Sequence, residues 1–342
     1  MQTAPAVENG VNLKPYNTFG LPCVAQTLVR IRSDADVRRV VDDPELGPAP
    51  KFVLGGGSNL VFTQDIKAVV LKVEVPGLRL LETRDDAWIV EAGAGETWHG
   101  LVSWCMDHDL PGLENMALIP GTVGAAPVQN IGAYGLELKD RFESLDAVDL
   151  VTGRTVTLGR AQCQFDYRDS VFKRHLAGKS VITRVRLRLP RPWVPMLGYA
   201  ELERKVAETG VTAPDARQVF DWVVAVRRAK LPDPAVIGNA GSFFKNPVVT
   251  PEQCRDIIQR DPEIVHYPMP DGSFKLAAGW MIDACGWKGK TVGHAGVYEK
   301  QALVLVNRGD ARGAEVVTLA RAIQESVYGR FGIRLEPEPV VI

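Results

Sequence analysis

The sequence predicts an α+β fold in three parts, and three features of its pattern lead to this prediction. Strand-like segments and hairpins come ahead of helical segments instead of alternating with them, which argues against a doubly wound parallel sheet. Two glycine-rich loops lie in the N-terminal half, at residues 55–57 and 112–135. A stiff proline-rich linker at residues 190–195 marks a candidate domain boundary, and a helical region follows it.

The other elements of the N-terminal half follow from local signals. Residues 1–20 end in a turn, and a helix is predicted near residues 34–42, with Ser33 as its N-cap. Residues 69–92 are predicted to form strands. A helix is expected over residues 97–108, because its apolar side chains recur on one face.

The first glycine loop follows a short apolar strand that begins at Phe52. Three glycines at residues 55–57 lead into Ser58 and Asn59. The pattern is typical of a phosphate cradle, because glycine lets backbone N–H groups approach an anion closely. It is not the Rossmann fingerprint, since residues 68–73 read as strand rather than helix, and it lacks the Lys-Ser/Thr ending of a P-loop.

The second loop, residues 112–135, is the stretch around which the chain is organised. It carries five glycines and a single charge, Glu114. It is too apolar for a solvated linker and too rich in glycine and proline for a long helix. Buried backbone outside a ladder needs hydrogen-bond partners, which a ligand would supply. We therefore favour a loop around a large, partly anionic ligand over a buried connection, and two such loops indicate a dinucleotide or a similarly long ligand.

The elements that follow the second glycine loop are predicted in the same way. Residues 144–158 read as a hairpin, and residues 181–189 read as a half-buried strand whose arginines point outward. Thr250 caps a helix that has Pro251 in its first position. The remaining predicted elements are an apolar helical stripe at residues 219–226, a buried strand at 302–307, an amphipathic helix at 313–330 and an extended tail at 335–342.

Composition restricts the class of function. The chain has 342 residues, with 40 Lys+Arg against 41 Asp+Glu, which favours neither nucleic acid nor a membrane surface as a partner. Its five cysteines form no Cys-x-x-Cys pair and its five histidines show no metal-ligand spacing, so we predict neither a disulfide framework nor a metal. We find no signal peptide and no apolar run long enough to span a bilayer. We expect a soluble, cytoplasmic protein.

Several polar residues could carry chemistry, and each has a structural alternative. Ser242, within residues 238–247, is either a proton donor or ligand contact, or a serine that caps a turn; it is not a nucleophile elbow, because Phe244 stands where that motif needs glycine. On spacing alone, Tyr167 and Arg168 favour an ordinary surface loop.

Further candidates are charged. Arg227, Arg228 and Lys230 could complement a helix dipole or hold a diphosphate. Lys288 could be a solvated lysine. Glu338 and its neighbour Glu336 lie in a proline-rich tail that would normally fray.

Read together, the motifs resemble one family. In chain order they are Asn17-Thr-Phe-Gly20, Gly55-Gly-Gly-Ser-Asn59, Ile119-Pro-Gly-Thr-Val-Gly124, Gln129-Asn-Ile-Gly-Ala-Tyr-Gly135, Tyr167-Arg168, Gly238–Pro247 and Glu336-Pro-Glu338. The set resembles the UDP-N-acetylenolpyruvoylglucosamine reductases, flavoenzymes of peptidoglycan precursor synthesis, and the likeness covers nearly the whole chain. Tyr199 resembles the mobile substrate-loop tyrosine of the longer, type I subgroup.

The resemblance implies an FAD-binding domain of the vanillyl-alcohol-oxidase type, followed by a C-terminal α+β substrate-binding domain. The implied divisions are two FAD-binding subdomains at residues 1–66 and 67–190, a linker with the substrate loop at 191–215, and the substrate domain at 216–342, whose tail returns to the active site. We expect a monomer that binds FAD non-covalently. The implied FAD contacts are Gly55, Gly56, Gly57, Ser58, Asn59, Leu60, Ile119, Gly121, Thr122, Gly124, Ala125, Gln129, Asn130, Ile131, Gly132 and Tyr134.

The resemblance also implies the reaction. NADPH reduces FAD and leaves; UDP-N-acetylglucosamine enolpyruvate then binds and receives hydride from flavin N5 at C3. Arg168 and Glu338 would polarise the substrate carboxylate, while Ser242 protonates C2. The implied substrate contacts are Tyr167, Tyr199, Arg227, Lys230, Asn246, Lys288 and Gln301.

One feature departs from the family, whose tail often continues Glu-Val-Arg where this chain has Glu338, Pro339 and Val340. The alternatives to this reductase are a sugar-nucleotide-binding regulator without chemistry and another flavin oxidase of the same fold. A sugar-nucleotide-binding regulator would be expected to lack Ser242 or Glu338, and both are present. Another flavin oxidase of the same fold would often tether its flavin through a histidine, and residues 109–174 contain none.

Overall fold

The computed structural model describes residues 6–342, and the mixture of strands and helices confirms the predicted α+β class. The strands are β1 (Val7–Asn12), β2 (Val24–Ile31), β3 (Lys51–Leu54), β4 (Leu60–Val61), β5 (Ile66–Val73), β6 (Leu78–Thr83), β7 (Ala87–Gly93), β8 (Gly132–Ala133), β9 (Leu136–Glu137), β10 (Phe142–Asp149), β11 (Thr155–Gly159), β12 (Ser180–Pro190), β13 (Asn239–Ser242), β14 (Val248–Val249), β15 (His266–Pro268), β16 (Phe274–Leu276), β17 (Thr291–Val292), β18 (Ala295–Val297), β19 (Val304–Asn307) and β20 (Val340–Val341). The α-helices are α1 (Asp34–Asp42), α2 (Trp98–Asp107), α3 (Arg160–Cys163), α4 (Ala200–Thr209), α5 (Ala216–Lys230), α6 (Pro251–Arg260), α7 (Ala278–Ala284) and α8 (Gly313–Phe331).

The described chain forms two compact units. The first comprises residues 6–11, 24–57 and 66–229, and the second comprises residues 12–23, 58–65 and 230–342. Two short N-terminal segments thus belong with the C-terminal part of the chain. The finer division at residues 66, 190 and 215 stays a prediction. Over residues 6–342, no helix is both long and apolar enough to cross a membrane.

The first unit contains two main sheets. One has the order β1-β2-β5-β3, in which β5 runs parallel to β2 and β3. The other is antiparallel, in the order β11-β10-β12-β7-β6. The alternation predicted for β12 is confirmed, because Val185, Leu187 and Leu189 are fully buried. Arg186, on the opposite face, is not simply solvated, since it pairs with the buried carboxylates of Glu91 and Asp146.

The central stretch, residues 112–135, is not a long helix, as predicted. It folds into 3-10 turns at Glu114–Met116 and Val123–Gln129, and then into the small β8–β9 hairpin. Sequence patterns missed β1 and β2. β1 is largely exposed and polar, while β2 buries the adjacent residues Leu28 and Val29, so neither strand alternates cleanly.

The second unit is organised around the sheet β13-β19-β18-β17, against which α8 packs. A second sheet has the order β14-β16-β15. Both predicted helices here are confirmed: α6 begins with the Thr250–Gln253 capping box, and α8 begins at Gly313 as expected. The C-terminal tail ends in β20, which pairs in parallel with β4.

Candidate active site

The two glycine loops come together at the end of β3. A Cβ atom placed on Gly56 would lie 2.9 Å from the Cα atom of Gly121 and 3.3 Å from the backbone nitrogen of Thr122. A Cβ atom on Gly55 would lie 2.7 Å from the Thr122 hydroxyl oxygen. Two segments far apart in sequence therefore approach backbone to backbone, and this approach requires glycine.

Thr122 lies at this junction, and its hydroxyl group indicates whether a polar cofactor fits there. Its side chain is 7% exposed, and its Oγ1 atom has no hydrogen-bond partner among the described residues. A buried hydroxyl without a partner is uncommon in native proteins. A polar group of a bound cofactor would satisfy it, so the residues present fit the pyrophosphate of a dinucleotide.

Lys72 adds a positive charge behind the first glycine loop. It lies on β5 opposite Leu54, and its Nζ atom donates a hydrogen bond of 2.8 Å to the carbonyl of Gly55. Burial lowers the pKa of Lys72, and Glu74 acts in the opposite direction. Sequence reasoning missed this residue; the signal was a lysine near the end of a mostly apolar strand, directly before Val73.

The side chain of Asn130 has a structural role. It is fully buried and in the left-handed region, and it donates hydrogen bonds of 3.1 Å to the Glu137 carboxylate and 3.0 Å to the Asp166 carbonyl. Its Oδ1 atom accepts from the backbone of Lys139 at 2.9 Å. The amide therefore fixes the shape of the central stretch. Its contact with FAD stays a prediction, and a backbone contact is the form most compatible with this geometry.

Arg168 does not lie in an isolated surface loop. Its Nη2 atom donates a hydrogen bond of 3.1 Å to the carbonyl of Gly132, in the central stretch. Its guanidinium also lies over the ring of Tyr167, 5.3 Å from the centroid. The structure therefore brings this predicted catalytic residue beside the predicted cofactor loop.

Three predicted contact residues from separate parts of the chain meet near the end of this stretch. Arg227 on α5 is half-buried and lies beside the hydroxyl of Tyr134, while its buried Nε atom has no hydrogen-bond partner among the described residues. The ring of Tyr134 meets that of Tyr199 edge-on, with centroids 5.2 Å apart. Burial raises the pKa of Tyr134, and Arg227 partly offsets this effect.

His99 supports the central stretch from α2. Its Nδ1 atom accepts a hydrogen bond of 3.2 Å from the backbone N–H of Leu118, a residue with a positive φ of 56°. Burial lowers the pKa of His99, and the charges of Arg228 and Arg227 act in the same direction. A protonated ring cannot accept this hydrogen bond, so the geometry requires neutral imidazole.

We expect the stability of the cofactor-free protein to fall as the pH drops below about 6.5. Below this pH, His99 binds a proton more readily in the unfolded chain than in the folded chain. The free energy of unfolding therefore decreases as the pH falls. The neutral variant His99→Gln should reduce this loss, since its amide oxygen can still accept from Leu118.

One hydrogen bond is worth about 1 kcal/mol, or roughly 2–4 °C in Tm. Thermal unfolding at pH 7.5 and 5.5 measures the difference; the control His108→Gln, at the exposed end of α2, should keep the full pH dependence. An unchanged dependence in His99→Gln would contradict the assignment.

In the second unit, Ser242 ends β13 opposite Val304. The register shifts between Asn239 and Ser242, and Gly241 adopts a φ of 69°, a conformation that favours glycine. Such a bulge redirects the side chain that follows it, and bulges are frequent next to active sites. Ser242 is half-buried, as a residue that contacts a ligand would be.

The C-terminal tail runs beside Ser242 and is not frayed. The backbone N–H of Glu338 donates to the carbonyl of Phe243 at 2.9 Å, and the N–H of Lys245 donates to the carbonyl of Glu336 at 2.9 Å. A side-chain ion pair of 2.5 Å joins Lys245 and Glu336. Glu338 is therefore held next to the residue that follows Ser242.

The tail is also fixed on its other side. The side-chain amide of Asn59 donates to the carbonyl of Glu338 at 3.1 Å, and the N–H of Val340 donates to the carbonyl of Asn59 at 3.0 Å. Pro339, between these two contacts in the chain, is buried. The backbone pairing requires no arginine, so the unusual tail still places Glu338.

Three further predicted substrate contacts surround α7. The Oδ1 atom of Asn246 accepts from the N–H of Ala278 at 3.0 Å. The Oε1 atom of Gln301 accepts from the N–H of Leu303 at 3.2 Å and faces Gly279. Lys288 is exposed, and its Nζ atom lies 3.0 Å from the Asp283 carboxylate. Their contacts with substrate stay predictions, as does that of Lys230 at the end of α5.

The fold and the glycine-loop site define an FAD-dependent oxidoreductase. Residues 25–159 match an FAD binding domain, and residues 233–342 match the C-terminal domain of UDP-N-acetylenolpyruvoylglucosamine reductase. The chain belongs to the UDP-N-acetylenolpyruvoylglucosamine reductase family, which confirms the resemblance read from its motifs.

Relatives of this name match over almost their full length. The chain is 56% identical to the reductase of Burkholderia orbicola (strain MC0-3), over 96% of this chain and 95% of that protein. It is 55% identical to the reductase of Azoarcus sp. (strain BH72), over the whole of both chains. The crystal structure of the Thermus caldophilus reductase is similar, with a TM-score of 0.66 and 27% identity, over 98% of this chain and 99% of that one.

Proposed function

We propose that this protein reduces UDP-N-acetylglucosamine enolpyruvate to UDP-N-acetylmuramate with electrons from NADPH, in peptidoglycan precursor synthesis. The names of its relatives support the substrate class. The observation that carries the proposal is the tail, which holds Glu338 beside Ser242 through hydrogen bonds to both Phe243 and Asn59. A binding protein without chemistry would have no need to keep this pair together.

The first unit would hold FAD through the paired glycine loops, with Thr122 and the backbone around Gly56 facing the pyrophosphate. Lys72 would favour the same anion through its charge. Bound FAD would supply the hydride-transfer chemistry between NADPH and C3 of the enolpyruvyl group. Non-covalent attachment is consistent with the lack of histidine in either loop.

Arg168 and Glu338 would act on the substrate carboxylate. Negative charge develops at C2 as C3 is reduced and spreads into the carboxylate, where a guanidinium can stabilise it. The bond to Gly132 and the contact with Tyr167 fix the guanidinium in advance. A hydrogen bond from Glu338 to that carboxylate would require the protonated form of Glu338.

Ser242 would protonate C2. A serine hydroxyl is a weak acid in water, but here the acceptor is a strongly basic enolate. A nearby cation would stabilise the alkoxide that remains. The nucleotide and sugar would be held by the residues predicted from the resemblance: Tyr167, Tyr199, Arg227, Lys230, Asn246, Lys288 and Gln301. Lysine and arginine suit the diphosphate.

Two measurements test the proposal in sequence. The purified protein is expected to show flavin absorption, and acid or heat should release the flavin as unmodified FAD. NADPH oxidation should then require the enolpyruvyl sugar nucleotide and should yield the lactyl product. A flavoprotein that oxidises NADPH at the same rate with and without that substrate would contradict the proposed reaction, and a protein that takes up no FAD would contradict the assigned cofactor site.

A further inference from the structure

Residues 193–196, which precede the proposed substrate contact Tyr199, are tied to the central stretch by side chains. The indole N–H of Trp193 donates to the carboxylate of Glu114 at 2.7 Å. The side-chain amide of Asn115 donates to the carbonyl of Met196 at 2.9 Å. The guanidinium of Arg141 also contacts the Met196 sulfur at 3.5 Å. Three tethers within four residues fix this part of an otherwise irregular linker.

Glu114 is the only charged residue of the central stretch, and the proposed reaction gives it no role. It is 2% exposed. One carboxylate oxygen accepts from Trp193, and the other accepts from the backbone N–H of Gly112 at 2.6 Å. Arg141 donates to the carbonyl of the same glycine at 2.9 Å. A buried carboxylate needs such partners, so the linker completes the site around Glu114.

Asn115 joins the linker directly to the cofactor loop. It is fully buried, and its Nδ2 atom donates both to Met196 and to the carbonyl of Tyr134, each at 2.9 Å. The ring of Tyr134 in turn contacts that of Tyr199. One amide group therefore spans the linker and the part of the central stretch that bears a predicted FAD contact.

The three linker contacts described above involve residues 193–196, which lie just before Tyr199 in the chain. Gly198 is exposed, and Tyr199 is 40% exposed although its ring contacts Tyr134. The chain thus passes from a segment fixed at Trp193 and Met196 to one that solvent can reach. The location of the Tyr199 side chain therefore depends on where the fixed segment ends.

We propose that Glu114 and Asn115 are positioning residues for Tyr199. They attach the linker to the central stretch, residues 112–135. When that stretch is ordered, it holds Tyr199 where it can contact the sugar nucleotide. The linker then acts as the physical connection between cofactor binding and substrate binding. This inference rests on the proposed function in one respect, the role of Tyr199 as a substrate contact.

The test is Trp193→Phe in the full chain loaded with FAD, because phenylalanine keeps an aromatic ring and removes the N–H donor. Without substrate, amide hydrogen exchange at residues 196–203 should become about tenfold faster, since a hydrogen bond to a buried charged group is lost. The control is Trp104→Phe. Trp104 is a partly buried tryptophan of α2 that stacks on His108, and its replacement should leave this exchange unchanged.

Kinetics provides the second readout. KM for the sugar nucleotide should rise about tenfold in Trp193→Phe, with kcat and FAD content within about twofold of the parent. A merely structural role would instead lower FAD content and kcat together. Unchanged exchange at residues 196–203, or an unchanged KM in an active enzyme, would overturn the inference. If exchange accelerates but neither parent nor variant reduces the enolpyruvyl substrate, the attachment stands and the proposed function fails.

Discussion

Replacing Ser242 by alanine is expected to leave reduction of FAD by NADPH unchanged and to slow its reoxidation by the enolpyruvyl substrate by about 10²–10⁴-fold. The reason is that only the second half-reaction needs a proton at C2. The change removes one oxygen from a half-buried side chain and leaves the backbone pairing of β13 with Val304 intact. Stopped-flow absorbance of the flavin measures the two half-reactions separately.

Two variants sharpen this test. Ser242→Cys keeps a proton on the side chain and should recover part of the lost rate. Ser326→Ala is the matched control in the same unit, because its hydroxyl bonds only to its own helix, at Ala322, in the described structure. It should leave both half-reactions unchanged. Equal losses of rate in both half-reactions of Ser242→Ala would reject the role of proton donor.

Replacing Gly56 by alanine is expected to weaken FAD binding by about tenfold to a hundredfold. The new Cβ atom would lie 2.9 Å from the Cα atom of Gly121, closer than real Cβ contacts come. Backbone cannot rotate away as a side chain can, so the two loops must move apart. Overpacking of this kind costs about 1–3 kcal/mol. Titration of the cofactor-free protein with FAD, followed by flavin fluorescence, measures the affinity.

The matched control is Gly329→Ala. Gly329 lies near the end of α8, and an added Cβ atom there would meet no atom of residues 6–342 within 4 Å. Alanine is favoured over glycine in a helix by roughly 0.5–1 kcal/mol, so the variant should be slightly more stable and bind FAD normally. If Gly56→Ala binds FAD as tightly as the parent, the two loops do not form the cofactor site.

Local patterns were sufficient for many elements. The Ser33 cap of α1, the Thr250 capping box of α6 and the buried face of β12 all lie where the sequence places them. These features depend on residues within a few positions of one another, so their physics is visible in a short window of sequence. The ordered motif set was likewise enough to predict the family and FAD as the cofactor.

Other features could not be read from any window. Spacing alone favoured a surface loop for Arg168, yet the fold places it on the carbonyl of Gly132. The tail suggested a frayed end, yet it is held between Phe243 and Asn59. Neither Lys72 nor Asn115 belongs to a recognisable motif. Each role depends on a contact with a residue distant in the chain.

The sequence by itself determined the fold class, the family, the cofactor and the types of residue available for chemistry, because these follow from local propensities and from motifs in a fixed order. Only the tertiary structure decided which groups meet. It set the glycine loops backbone to backbone, left the Thr122 hydroxyl without a hydrogen-bond partner in residues 6–342, and tied the linker to Glu114 and Asn115. Such contacts arise from packing between distant segments, where burial makes an unpaired polar group costly and so selects its partner.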